Sequence, residues 1–594
     1  MLPVDECCAT LPVTLDYRSR ICLVLLVLSL AGSAHRSQGA ETQEGALPNI
    51  VVILADDMGW SDLGCYGGEI ETPHLDRLAA GGLRFTQFYN TSRCCPTRAA
   101  LLTGLYSHQA GIGHMVGNDW LPGYQGYLNE NCVTLAEVLQ AAGYATLMTG
   151  KWHVGSQPGH WPLDRGFSGF WGTPSGGGVY FKETLQVRTN VFFTRDNERV
   201  ELPEDFYVTD AFTDRALEMV EQTVQRKAGP FFLYLAHIAP HWPLQAKPSD
   251  IARYQGRYNV GWDRIREQRF ARQLQQRLVP AHSRLSERDS EAAAWDNTPP
   301  ERQADLARRM EIYAAQVDCV DQNVGKLVKK LQDLGVYENT LILFLSDNGC
   351  SAEGGPGGFS RGRPGAAIGT GLSYASVGLE WANASDTPFR KFKMSTHEGG
   401  IATPLIAALA GRDRSSGRIA APARACDRPD AHAGGSGWCG VPRERAGEKI
   451  LPPEGRSLVP VFRNETGERR ALYWEHEGNQ GVRQGDWKGV RTHRQKWELY
   501  NLGAGSHRNT KPCGQASRET GGTSGLMASV GRALRRMELV RVTAASPATP
   551  RICQVNGERL VRCGRWSDVP GRSTPLVRNR HSPRSTAIRR VVPE

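Results

Sequence analysis

Residues 49–60 read NIVVILADDMGW. A short run of apolar, mostly β-branched side chains ends in two adjacent carboxylates. The run is short for a helix and shows no polar alternation, so it reads as a strand buried on both faces, the pattern of a parallel sheet. Residues 339–350, NTLILFLSDNGC, repeat the arrangement and end in Asp347 and Asn348. Between them, TPHLDRLAAGGLRF (72–85) and TLAEVLQAAGYATLMTGKWHVG (134–155) each join a helical segment to a following strand. PFFLYLAHIAPHWPL (230–244) is another buried strand that runs into a loop. MEIYAAQVDCVDQNVGKLVKKLQDLG (310–335) has helical periodicity and a Gly stop. Strands alternating with helices predict an α/β fold, a large mixed but mostly parallel sheet sandwiched by helices. The short runs ALYWEHE, GVRQGDWKGVRT and WELYNL within 471–502 predict a smaller C-terminal antiparallel-sheet subdomain. No internal repeat is present.

The two matching strand ends carry chemistry. In open α/β sheets ligands bind beyond the carboxyl ends of the strands. Asp56, Asp57, Asp347 and Asn348 converging there would repel one another without a cation, and all-oxygen ligation suits Ca²⁺ or Mg²⁺. Either acidic pair alone also reads as a helix or turn cap. A second stretch is SRCCPTRAALLTG, residues 92–104. Pro96 suits the first turn of a helix, which puts Cys94 just before a helix N-terminus. Free N–H groups and the helix dipole favour an anion there and lower a thiol pKa. Arg98 adds a fixed cation. A vicinal disulfide or two buried thiols are the other readings of the cysteine pair.

Cys94-Cys95-Pro96-Thr97-Arg98, followed by Leu102-Thr103-Gly104, resembles the sulfatase signature C-x-P-S/T-R-x-x-x-L-T-G. The resemblance runs from about residue 48 to 407, resumes at 443–502, and includes TGKWHVG, APHWPLQAKP, SDNG and TPFRKFKMSTHEGGI. It points to arylsulfatase-type members of the alkaline-phosphatase-like superfamily. It implies that Cys94 is converted to formylglycine by a formylglycine-generating enzyme. It implies that Asp56, Asp57, Asp347, Asn348 and residue 94 hold the cation, with Ca²⁺ expected and Mg²⁺ the alternative. Lys151 and Lys393 would grip the sulfate oxygens. His241 would contact the ester and protonate the leaving group, His153 would assist the second half of the reaction, Arg98 would orient residue 94, and Asp347 would serve as base. The expected reaction is hydrolysis of aryl or carbohydrate sulfate monoesters. A phosphodiester or phosphonate ester hydrolase of the same superfamily is the alternative, and an inert product of a damaged gene is a third reading.

Composition narrows the remaining choices. Hydrophobic residues make up 40% and charged residues 22% of the 594, which fits a globular protein with a sizeable core. Lys and Arg number 71 against 61 Asp and Glu, but the surplus is local. Residues 503–594 carry 17 basic against 5 acidic side chains, and the preceding 502 carry 54 against 56. The body therefore offers no electrostatic footprint for nucleic acid. Arg18 and Arg20, then ICLVLLVLSLAGSA, read as a signal peptide over 1–40, with export to the periplasm or medium and no transmembrane segment after its removal. An N-terminal membrane anchor is the competing reading. Fourteen cysteines show no CxxC pair and no zinc-type spacing, and their pairing is not readable.

The catalytic α/β domain is expected over 47–407 and the antiparallel subdomain over 443–502. Residues 408–442 and 503–594 break with both. They are rich in Ala, Gly and Arg and lack periodicity, as a disordered loop and a basic tail would. A shifted reading frame accounts for them as well. Back-translated with permitted codons and read one base later, 408–442 can yield a stretch containing AIDLMPTLVEVAGVEYP, and 503–520 can yield EPDRTETQNLAAKHPEKL. Both resemble what sulfatases carry at those places.

Overall fold

The computed structural model describes residues 47–409, 418–420, 424–425, 442–445, 447–465 and 470–503. The signal segment and most of the two anomalous segments lie outside the described residues. In chain order the main sheet uses β1 (Asn49–Asp56), β2 (Leu83–Tyr89), β3 (Ala145–Lys151), β4 (Gly169–Thr173), β5 (Phe193–Arg195), β6 (Glu198–Val200), β7 (Phe231–Pro240), β8 (Thr340–Ser346) and β9 (Ala402–Leu409). Their spatial order is β2-β9-β8-β1-β7-β3-β4-β5-β6. The centre, β8-β1-β7-β3-β4, is parallel throughout. Every residue of β1, β7 and β8 is buried, as their unbroken apolar runs predict for strands covered on both faces. Antiparallel pairing of β9 with both β8 and β2 makes the sheet mixed and leaves β2 running in the same direction as β8. Arg418–Ala420 and Arg424–Ala425, from the first anomalous segment, pair in parallel with β2 at that edge.

Two apolar layers cover the faces. One packs Val51, Ile53, Leu233 and Leu235 against the helices Val208–Gln225 and Pro300–Asp333. The other packs Val52, Leu54, Phe232 and Tyr234 against the helices Cys94–Thr103 and Leu135–Ala141. The helix ending at Asp333 begins ten residues before its apolar periodicity does, because its first turns are polar and part-exposed. The helix Leu135–Ala141 starts with a capping box. Thr134 accepts from the Glu137 N–H at 3.0 Å, and the Glu137 carboxylate accepts from the Thr134 N–H at 2.6 Å.

The later runs form a four-stranded antiparallel sheet of Leu472–His476, Asn479–Gln484, Trp487–Arg491 and Glu498–Asn501. The expected stretch GVRQGDWKGVRT supplies two of these strands, turning at Gly485 with φ of 61°. This sheet rests on the catalytic body. Trp474 donates its indole N–H to the Asn90 carbonyl at 2.8 Å, and Lys488 meets Glu398 at 2.6 Å. All six cysteines among the described residues are buried free thiols, which decides against a disulfide between Cys94 and Cys95. No helix among the described residues is long and apolar enough to cross a membrane.

Candidate active site

Strand direction assembles the site. Because β8, β1, β7 and β3 are parallel neighbours, their carboxyl ends share one edge of the sheet. Asp56 and Asp57 come from the end of β1, Lys151 and His153 from β3, His241 from β7, and Asp347 and Asn348 from β8. β2 reaches the same edge and feeds the helix Cys94–Thr103, all ten residues of which are buried. Lys393 arrives on the loop that precedes β9. Cys94 is the first helical residue, one position further in than its sequence reading, and its sulfur stands where an aldehyde oxygen would be in a formylglycine enzyme. Backbone strain gathers at the same place: Asp57, Ser92, His153 and Met394 have φ between 59° and 74°, a conformation that costs a non-glycine residue energy.

The floor of the site is acidic and dry. Asp56, Asp57, Asp347 and Asn348 are essentially unexposed. Asp57 Oδ1 accepts from Asn348 Nδ2 at 2.6 Å, and the Asp57 N–H donates to Asp347 Oδ1 at 3.2 Å. Asp347 Oδ2 accepts from Arg98 Nε at 3.0 Å and Nη2 at 2.8 Å, while Arg98 Nη1 donates to the Lys151 carbonyl at 2.7 Å. Lys151 pairs with Asp56, and Lys393 reaches Asp57 Oδ2 at 2.9 Å. Two buried oxygens, Asp56 Oδ1 and Asn348 Oδ1, have no hydrogen-bond partner. Unsatisfied oxygens among buried carboxylates are what a hard cation completes, so the donor set fits one. Ligand atoms of Asp56, Asp57 and His241 lie within 4.8 Å of one another, whereas Asp347 is engaged mainly by Arg98.

Titration follows from this crowding. Burial and the neighbouring Asp56 carboxylate push Asp347 well above the carboxylate range, despite Arg98. Burial also raises Asp57 against the pull of Lys393. At Asp56 burial acts upward too, but Lys151, His241 and Arg98 outweigh it and hold the carboxyl low. A hydrogen bond from Cys95, followed by the charge of Lys151 and the nearness of His153, draws the Cys94 thiol well below its usual value. Burial and Lys151 hold the His153 imidazole down at about 4, so it is neutral beside Cys94. His241 makes a 2.6 Å hydrogen bond between Nδ1 and the Trp242 carbonyl, which requires Nδ1 to donate and leaves Nε2 3.6 Å from Asp57 Oδ2.

All ten site residues named from sequence therefore come to one edge of the sheet. Three neighbours were not anticipated: Arg93, Trp242 and Glu353. Trp242 lies inside the quoted stretch APHWPLQAKP and Arg93 inside SRCCPTR, but only their contacts set them apart from packing. Glu353 follows SDNG in a Gly-rich loop that carries no periodic signal.

Buried cations facing a cation-ready acidic floor, at the N-terminus of a buried helix, define a hydrolase of anionic esters. The sulfatase family profile matches residues 48–427, which extends past 407, where the motif resemblance ends. The arylsulfatase of Klebsiella aerogenes is 37% identical over 396 residues, covering 64% of this chain and 82% of that protein. The N-acetylgalactosamine-6-sulfatase of Canis lupus familiaris is 32% identical over 409 residues, 66% of this chain and 61% of its own. Among solved structures, Ps i-CgsB in complex with k-i-k-neocarrahexaose matches with a TM-score of 0.59 at 25% identity, over 83% of this chain and 92% of that one. The chain belongs to the sulfatase family and is a sulfuric ester hydrolase.

Proposed function

We propose that this enzyme hydrolyses sulfate monoesters of aryl or carbohydrate alcohols, using an aldehyde residue derived from Cys94 and a divalent cation, Ca²⁺ or Mg²⁺. The observation that carries this reading is the place of Cys94: first in a buried helix, between His153 and Lys151, above carboxylates with an orphaned oxygen. Asp56, Asp57, Asp347, Asn348 and residue 94 would hold the cation, which supplies Lewis-acid stabilisation of charge on the ester. A hydrated aldehyde at position 94 offers one hydroxyl to attack sulfur and a second whose loss of a proton expels sulfate.

The chain's own groups do the rest. Lys151 and Lys393 present buried ammonium groups to the non-bridging oxygens. Arg98 and the helix N-terminus add positive potential, and such preorganised charge is worth about 10²–10³ in rate per donor. With Nδ1 tied to the Trp242 carbonyl, His241 carries or releases its mobile proton at Nε2, where a departing alkoxide needs it. Neutral His153, in contact with residue 94, can accept a proton from a hydroxyl there. Asp347, held in place by the Arg98 guanidinium, would serve as the base for the hydrated aldehyde.

The N-terminal segment supports export to the periplasm or medium, and maturation calls for a formylglycine-generating enzyme. The test is mass spectrometry of the peptide bearing residue 94, joined to turnover of an aryl sulfate against a phosphodiester. The thiol-to-aldehyde change lowers the mass by about 18 Da. The expected result is that change, with the sulfate preferred. An unmodified thiol in a preparation that hydrolyses sulfate esters, or a preferred phosphodiester, overturns the reading.

A further inference from the structure

Glu353 stands at the mouth of the site with a quarter of its side chain exposed. Its Oε2 accepts the indole N–H of Trp242, accepts from Ser351 Oγ at 3.1 Å, and lies 3.4 Å from Lys393 Nζ. Its Oε1 lies 3.5 Å from Arg93 Nη2. Each of the three larger partners touches the proposed reaction. Lys393 also pairs with Asp57 at 2.9 Å. Trp242 receives the Nδ1 hydrogen bond of His241 on its carbonyl, and the two rings lie 4.5 Å apart. Arg93 directly precedes Cys94, and its other branch meets Glu477 at 3.2 Å, in the first turn of the four-stranded sheet. Burial pushes the Glu353 carboxyl up, but Lys393, His241, Trp242 and Arg93 outweigh it and hold it at about 2.

We propose that Glu353 is a positioning residue for sulfate-ester hydrolysis: it fixes Trp242, and through it His241, on the leaving-group side, and shares Lys393 with Asp57. This rests on the function proposed above. An ammonium has three donors. With one on Asp57 and one on Glu353, the third is left for an ester oxygen. A Trp242 released from Glu353 no longer fixes the peptide that orients His241. Outer partners of this kind are worth about 10–100-fold in activity. Because His241 serves the leaving group, the loss must grow as that group becomes a poorer one.

The experiment uses full-length wild type, Glu353→Ala and Glu353→Gln, each first assayed for aldehyde at residue 94. It compares kcat and KM for 4-nitrophenyl sulfate and 4-methoxyphenyl sulfate. The alanine variant is expected to lose about 10–100-fold in kcat on the methoxy ester and about threefold or less on the nitro ester. The glutamine variant keeps an acceptor for the Trp242 indole and is expected to recover to within about fivefold of wild type. Equal losses on both esters, no loss, or a glutamine variant as impaired as alanine overturns the role of Glu353. An aldehyde-bearing wild type that hydrolyses neither these aryl esters nor a carbohydrate sulfate overturns the proposed function, and this inference with it.

Discussion

At the scale of the residue, the site is a problem of crowded charge. Three buried carboxylates lie close together, and Lys151, Lys393 and Arg98 do not satisfy Asp56 Oδ1 or Asn348 Oδ1. Completing those oxygens stabilises the folded enzyme, because a ligand that binds only the native state adds RT ln(1 + [L]/Kd), about 2.7 kcal/mol at a hundredfold excess over Kd. Chelator-treated enzyme is therefore expected to gain thermal stability and turnover together when Ca²⁺ or Mg²⁺ is added, and Asp56→Asn to lose most of both gains. Unchanged melting and undiminished turnover under chelation would contradict the cation site. At this scale the sequence was legible wherever residues sit in compact motifs, as Asp56, Asp57, Cys94, Lys151 and His153 do. Glu353 was not, because its meaning lies in Trp242 and Lys393, far away along the chain.

At the scale of the element, strand geometry holds the catalytic side chains. Gly150 precedes Lys151 in β3 with φ of 113°, and a Cβ there would stand 2.0 Å from the Ala236 carbonyl oxygen of β7. β4 crowds it from the other side, since a Cβ on Gly172 would stand 2.0 Å from the Gly150 oxygen. Any side chain at 150 must move the backbone that sets Lys151 against Asp56. Gly150→Ala is thus expected to cost about 3 kcal/mol or more in chemical denaturation and to abolish measurable turnover. A variant with wild-type stability and activity would show that β3 yields freely. The apolar runs announced the central strands, because burial on both faces leaves no alternation to confuse them. Polar stretches announced little, which is why the first turns of the helix Pro300–Asp333 went unread.

At the scale of the whole molecule, the four-stranded sheet braces the two loops that carry Cys94 and Lys393. Trp474 holds Asn90, Thr396 donates to the Gln480 carbonyl at 3.0 Å, and Asn479 donates to the Met394 carbonyl at 3.1 Å. An ion cluster joins the two bodies: Glu498 meets Arg390 at 2.8 Å and His397 at 3.1 Å, and accepts from Tyr500. Burial raises the Glu498 carboxyl, but His397, Tyr500 and Arg390 outweigh it and hold it at about 2. Its folded pKa lies below the unfolded value of about 4.3, so its contribution is complete above that pH and is lost as pH falls toward 2. Glu498→Gln is expected to cost about 1 kcal/mol near neutrality, discounted for partial solvation, and to flatten the fall in melting temperature between pH 5 and 3. An identical acid limb in the variant would rule out this brace as a source of acid sensitivity.

By itself the sequence determined the α/β class, the buried strands, the presence of a helix at the cysteine pair and, through linked motifs, the kind of ester cleaved. These are local matters: periodicity, turn residues and side-chain chemistry act over a few neighbours. Only the tertiary structure decided that five strands deliver their carboxyl ends to one edge, that both cysteines stay free, that Asp347 answers to Arg98, and that Glu353 joins the site. Those outcomes depend on which strands pair and in which direction, and pairing across hundreds of residues is settled by burial of the whole sheet and not by any one stretch of it.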